Sequence, residues 1–177
     1  MRRNICLAFL TISLLLGACT AEPANSEEAT FERVSYEDAS IIQHLTIDSV
    51  MADGIYYGVI PESVFSLTSG FPIERDDLKP GDLVFISPAS QFSPSGSNHN
   101  AKSITVLDDD KSRKISRAIT HLMDHQEVGE IISPEIKSVN HQLVTVQFKE
   151  CDTGQLYESI INVNTFSFHI QPIGRIK

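Results

Sequence analysis

Residues 45–60 read LTIDSVMADGIYYGVI. Leu45, Ile47, Ser49 and Met51 alternate with Thr46, Asp48 and Val50, which is the period of a strand. Asp53-Gly54 separates this run from a second strand-like run over residues 55–60. An Asp-Gly pair in that position predicts a hairpin closed by a type I′ turn, whose two central residues need positive φ. Pro61 has no amide hydrogen to give a ladder and is expected to end the second strand.

Working outward, Ser35-Tyr36-Glu37-Asp38 predicts a short N-terminal helix. Ser35 is its cap, acids fill its first turn, and Ile41, Ile42 and Leu45 share a face. Downstream, Leu78-Lys79-Pro80-Gly81-Asp82 is a Pro-Gly turn feeding a short buried strand, Leu83-Val84-Phe85-Ile86. Residues 87–103 are rich in Ser, Pro, Asn and Gly, and are expected to form a long mobile loop. A strand over 104–107 ends at Asp108-Asp109-Asp110, read as an exposed acidic turn. The triplet lacks the alternation, central Gly and later Glu of a calcium loop.

The clearest helix is predicted over about residues 112–125. Ile115, Ala118, Ile119, Leu122 and Met123 recur at i, i+3, i+4, i+7 and i+8, and Gly129 follows the end. Beyond it, residues 136–139, 143–148 and 156–163 and the alternating Phe166, Phe168 and Ile170 read as an antiparallel meander with one buried face. The expectation is therefore an α+β fold: an antiparallel, β-rich single domain over residues 31–177 with one clear amphipathic helix.

The first residues carry a different message. Arg2 and Arg3 precede an apolar run over 5–16 that is too short to span a membrane. It runs into Leu16-Gly17-Ala18-Cys19. This segment resembles the signal peptide and lipobox of bacterial lipoproteins. The resemblance implies cleavage after residue 18, acylation of Cys19 and attachment to the lipid bilayer through it. In that family an Asp after the Cys marks retention in the inner membrane of diderm bacteria. Thr20 stands here instead, which points to the outer membrane, with the domain facing the periplasm. Residues 20–30 (TAEPANSEEAT) then read as a flexible tether.

The chain has 177 residues, with 14 Lys+Arg against 23 Asp+Glu and a formal net charge of -9. That balance argues against nucleic-acid binding, which needs cations to displace phosphate counterions. Loss of residues 1–18 removes Arg2 and Arg3 and leaves the remainder more acidic still.

Three cysteines are present. Cys6 leaves with the signal and Cys19 is the lipidation site, so Cys151 is left as the one thiol. It is a weak catalytic candidate, a nucleophile to be paired with a histidine, because Glu150 and Asp152 beside it disfavour a thiolate. His121 and His125 are four apart on the predicted helix, the spacing with which two imidazoles share a metal. They are weak metal candidates. Leu122 stands where zincins place their general-base Glu, and the spacing supplies no third ligand. Both flank the apolar arc, where a structural role is expected.

Residues 78–85 (LKPGDLVF) are similar to the turn-strand of papain-like cell-wall endopeptidases, several of which are lipoproteins. That family carries its Cys on a helix upstream, and no cysteine lies between Cys19 and Leu78. Nor does Val146-Gln147-Phe148-Lys149-Glu150-Cys151 match the sortase-type strand end. There is no Gly-rich phosphate loop and no Gly-x-Ser-x-Gly elbow, and no cofactor is expected. The sequence thus favours a non-enzymatic envelope lipoprotein that binds a protein partner. The loop at 87–103 and the strand edges are its contact candidates. The alternatives are a cell-wall or thiol enzyme using Cys151 with a His, and a metal-binding module through His121 and His125.

Overall fold

The computed structural model describes residues 35–89, 99–125 and 129–174. Cys19 and the tether lie outside them. Among the described residues nine strands form two sheets, accompanied by one α-helix. The strands β1 (Ser40–Leu45), β2 (Ser49–Ala52), β3 (Ile55–Leu67), β4 (Leu83–Pro88) and β5 (His99–Val106) close into a barrel in the order β1-β2-β3-β5-β4. The helix α1 (Asp110–Met123) follows. Then β6 (Ile131–Asn140), β7 (Leu143–Glu150), β8 (Leu156–Asn162) and β9 (Phe168–Pro172) form an antiparallel meander. The α+β reading holds, with one helix on a largely antiparallel framework. Among the described residues no helix is long and apolar enough to cross a membrane.

The Asp53-Gly54 hairpin forms as its sequence dictates. Both residues have positive φ, and Ala52 faces Ile55 across the turn. The start of the domain differs from expectation. Tyr36–Asp38 makes only one 3-10 turn, and the chain then becomes β1. Ile41 and Ile42 are both fully buried on opposite sides of that strand, where a helix would have put them on one face. The alternating run from Leu45 is also broken. Residues 46–48 turn the chain from β1 into β2, leaving Ile47 almost fully exposed.

Nor does Pro61 end β3. The strand runs through it, because the ladder with β5 is interrupted there. Val59 faces Ala101 and the next pair is Val64 with Ser103, so Pro61 lies in a bulge that asks no amide of it. Ser63 Oγ bridges the gap, accepting from the Ile60 amide at 3.0 Å and donating to the Ala101 carbonyl at 2.6 Å. β3 and β5 run parallel, which makes the barrel more than a meander. The expected loop at 87–103 is shorter than its composition suggests: residues 87–88 extend β4 and 99–103 belong to β5. Residues 90–98 lie outside the described residues.

Ile42, Val50, Val84, Ala101 and Ile104 fill the barrel, and Leu78 joins them from the β3–β4 connection. The second sheet turns Val144, Val146 and Phe148 inward from β7 and Ile161 from β8, all fully buried. Phe148 stacks on its cross-strand neighbour Tyr157 with centroids 5.7 Å apart. Of the predicted stripe of α1, Ile115, Ala118, Ile119 and Leu122 are buried and Met123 is half-buried.

Two glycines allow the parts to meet. At Gly54 an added Cβ would collide with Ser133 Oγ on β6. Gly81, with φ of +91°, brings the Pro-Gly turn against α1, where a Cβ would collide with Thr120 Oγ1 and lie 3.3 Å from the Ser116 carbonyl. The same turn donates its Gly81 amide to the Ile42 carbonyl at 2.7 Å, and the Leu83 amide reaches Ser116 Oγ at 3.3 Å. Gly81→Ala is therefore expected to cost about 2–3 kcal/mol, from the left-handed backbone and the close contact together. In urea unfolding, Thr120→Ala in the same chain recovers the steric part only, so the double variant loses less than the two single losses added.

The acidic triplet does more than the exposed turn expected of it. Asp109 caps α1, which starts at Asp110, two residues before the expected 112; it accepts from the Lys111 amide at 2.9 Å, the Ser112 amide at 3.0 Å and the buried Ser112 hydroxyl. Burial opposes its ionisation, yet these bonds and one from the Tyr36 hydroxyl outweigh it and hold the carboxyl below the usual range. A lowered folded pKa stabilises above the unfolded value of about 4 and ceases to do so as pH falls through the folded one. Asp109→Ala is expected to cost about 1–2 kcal/mol at pH 7. Denaturant titrations at a series of pH values should show that deficit shrinking below about pH 4.

Candidate functional site

An open cleft of about 710 Å³ lies between α1 and the β3–β4 connection. That is within the usual size range of small-ligand and peptide pockets. Its apolar lining is aliphatic: Leu67 from the end of β3, Val106 and Leu107 from the end of β5, and Ile73 from the β3–β4 connection. That connection folds back on β3, with the Leu67 amide on the Phe71 carbonyl at 2.8 Å and the Ile73 amide on Phe65 at 3.2 Å. One wall is the outer side of α1, with Arg113, Ser116, Arg117 and Thr120, and Asp124 just beyond its end. Asp77, Lys79, Pro80 and Asp82 line it from the β3–β4 connection, where the Pro80 carbonyl meets the Thr120 hydroxyl of α1 at 3.3 Å.

The charges around the cleft are not equally free. Asp108 accepts from the Thr68 hydroxyl at 2.6 Å, the Ser69 hydroxyl at 2.6 Å and the Ser69 amide at 3.0 Å. Burial works against its ionisation, and those hydroxyl and amide donors hold its carboxyl low regardless. Asp77 takes the Glu74 amide at 2.9 Å in a capping box around the turn Arg75–Asp77. Asp82 takes the Lys79 amide at 2.8 Å, while burial pushes its carboxyl up against the influence of that amide and of the Lys79 charge. Three of the carboxylates thus hold the loops that shape the cleft. Of the cations, Arg113 pairs with Asp110 at 2.6 Å, whereas Lys79 and Arg117 have no carboxylate within 4 Å among the described residues.

The residues singled out from sequence are elsewhere. Cys19 lies outside the described residues. Cys151 is an exposed free thiol in the β7–β8 turn, its amide held by the Glu130 carbonyl at 2.9 Å. His121 and His125 are brought together with aromatic rings. Phe168 meets His125 edge-on at 4.8 Å and His121 at 5.9 Å, and Phe166 lies 6.1 Å from His121. Among the described residues no three His, Cys, Asp or Glu side chains gather as a metal-holding group. The imidazoles join the end of α1 to β9.

The cleft itself was missed in the sequence because its lining comes from four separate segments. Of its two local signals, the Pro-Gly sequence does form a turn, whereas the Asp triplet caps and starts α1, and neither reading includes the packing that joins them. No family model matches the chain, and neither a curated protein nor a solved structure does so.

Since the imidazoles pack edge-on against Phe168, removal of the ring is what should matter to them, not removal of metal. Phe168→Ala is expected to lower stability by about 2–4 kcal/mol, as for a large half-buried aromatic. Excess EDTA should leave the thermal midpoint of the untagged protein unchanged. A midpoint that fell on chelation and returned with zinc would make the histidine pair a metal site.

Proposed function

We propose that the chain is a membrane-anchored bacterial envelope lipoprotein whose domain is a non-enzymatic adaptor for a protein partner. The observation that carries the anchor is the ordered series of Arg2-Arg3, the apolar run and Leu16-Gly17-Ala18-Cys19. Three acyl chains, at about 0.8 kcal/mol per buried methylene, exceed what stable attachment requires. The acidic domain is repelled by anionic headgroups, so the tether over residues 20–30 holds it near the membrane without laying it on the surface.

The adaptor reading is supported by how the chemically capable side chains are employed. His121 and His125 pack on phenylalanines, and the acids of the triplet hold a helix cap and a loop. Surfaces for a partner are present. The barrel is closed, but among the described residues β9 pairs only with β8, which leaves its other edge for strand addition.

Cys19→Ala tests the anchor. The wild-type chain should incorporate labelled palmitate and sediment with membranes, and the variant should do neither. Affinity capture from gently solubilised envelopes, with that variant as control, tests the adaptor. A near-stoichiometric protein partner is expected, and none above the control would overturn it.

A further inference from the structure

We propose that a second, smaller cavity is a binding site for a soft monovalent metal ion, cuprous copper, held by the thioethers of Met51 and Met123 and the imidazole of His44. The cavity has a volume of about 150 Å³ and lies between the outer side of β1 and β2, the end of α1 and the start of β6. The inference goes beyond the adaptor reading and does not depend on it.

Strand register aims two of the three donors. Ile42, Val50 and Ala52 are fully buried, and Ile42 and Val50 fill the barrel. Met51, between Val50 and Ala52 on β2, therefore faces outward. His44 follows Ile42 by two residues, so plain alternation would turn it inward. A bulge prevents that. Ile42 faces Ala52 and His44 faces Met51, which leaves Gln43 as the extra residue and reverses the phase of the strand after it. His44 thus shares the outer face with Met51. Directly opposed residues of an antiparallel pair have Cβ atoms about 5 Å apart. Met123, the last residue of α1, borders the same cavity. His44 is exposed and both methionines are half-buried, so an ion has a way in.

The donor set selects the ion. After residue 1 the chain has methionine at two positions only, and both border this cavity. Thioether sulfur is a soft, uncharged ligand that favours cuprous copper, and imidazole is a good third ligand for it. Zinc takes thiolate, imidazole and carboxylate instead. Methionine is unbranched with three rotatable bonds, so two of them close on an ion without moving the backbone. Two other polar side chains line the cavity. Glu130 supplies negative charge to a cation whose ligands are neutral. Gln43 gives its carbonyl oxygen to the Gly54 amide, and its Nε2 is buried with no partner among the described residues. That nitrogen is a donor and no ligand; it is placed to hydrogen-bond a water that completes the shell of the ion.

The test is anaerobic competition for cuprous copper between the full-length protein in detergent and bicinchoninate, read from the absorbance of the copper–bicinchoninate complex. Cys151 is an exposed thiol and a soft ligand in its own right, so Cys151→Ser is the reference protein. It is expected to withdraw one equivalent of copper. In that background Met51→Leu, Met123→Leu and His44→Gln should each weaken binding at least tenfold. Leu matches Met in volume, so the fold should survive, with circular dichroism to verify it. His169→Gln, an exposed imidazole on β9, should change nothing. With methyl-labelled methionine, one equivalent of silver ion, a stand-in for cuprous copper, should shift the ε-methyl resonances of Met51 and Met123 together. The proposal is overturned if the Cys151→Ser protein withdraws no copper, or if Met51→Leu and Met123→Leu hold it as tightly as the reference. Zinc bound as tightly as copper overturns it as well, since two thioethers do not hold zinc.

Discussion

The arrangement of this domain depends on the missing side chain at Gly81. A barrel and a four-stranded sheet each have their own ladder, and nothing in those ladders fixes a helix between them. The Pro80-Gly81 turn does so. Its backbone lies so close to Ser116 and Thr120 that no Cβ fits, and its neighbours bond both ways, to Ile42 in the barrel and to Ser116 on α1. With the turn in place, the buried stripe of α1 faces inward and the C-terminal end of the helix, just past Thr120, reaches β9 through His121, His125 and Phe168. Gly54 repeats the device at the hairpin turn, where it allows Ser133 of β6 to approach the barrel. Both contacts use a residue that a left-handed turn already requires, so one choice satisfies backbone and packing together.

Carboxylates are the second structural resource. A chain with this excess of acid meets self-repulsion when it folds. Much of that is relieved where acids accept backbone and hydroxyl donors rather than facing one another. Asp109 caps α1, Asp108 holds the Thr68-Ser69 turn, and Asp77 and Asp82 each close a short turn on an amide three residues earlier. These bonds fix the loops around the cleft, which is otherwise shaped by irregular chain. Asp53 belongs to the same group. Its carboxylate accepts the Ile41 amide at 3.2 Å and ties the hairpin turn to β1, although burial pushes its carboxyl up.

What the sequence made legible follows the range of the forces concerned. The Asp53-Gly54 turn, the stripe of α1 and the meander were readable because each is set within about ten residues by φ, by the 3.6 period or by alternation. The helix expected at Ser35 was not formed, since Ile41 and Ile42 are both wanted inside, one on each side of a barrel strand. Local capping signals cannot register that demand. Pro61 was read by its missing amide, and only the bulge opposite Ala101 and Ser103 shows why the strand survives it. The parallel β3–β5 pairing and the cleft come from segments far apart in the chain. No local pattern encodes either. Of the residues proposed for chemistry, the sequence rightly placed the histidines beside the apolar arc, but only the tertiary contact with Phe166 and Phe168 shows what they touch.

The wall of α1 above the cleft carries a feature that packing alone does not ask for. Arg113 and Arg117 are four residues apart, so two like charges share one side of the helix, an arrangement that costs a few tenths of a kcal/mol. Asp110, one turn before, offsets the first of them. The second has no such neighbour among the described residues, and it lies before the last turn, where the helix dipole would favour it most. Lys79 is likewise without one, so in a domain with so many acids these two cations stand outside the pattern by which Asp77, Asp82, Asp108 and Arg113 are each given a partner or a turn to hold.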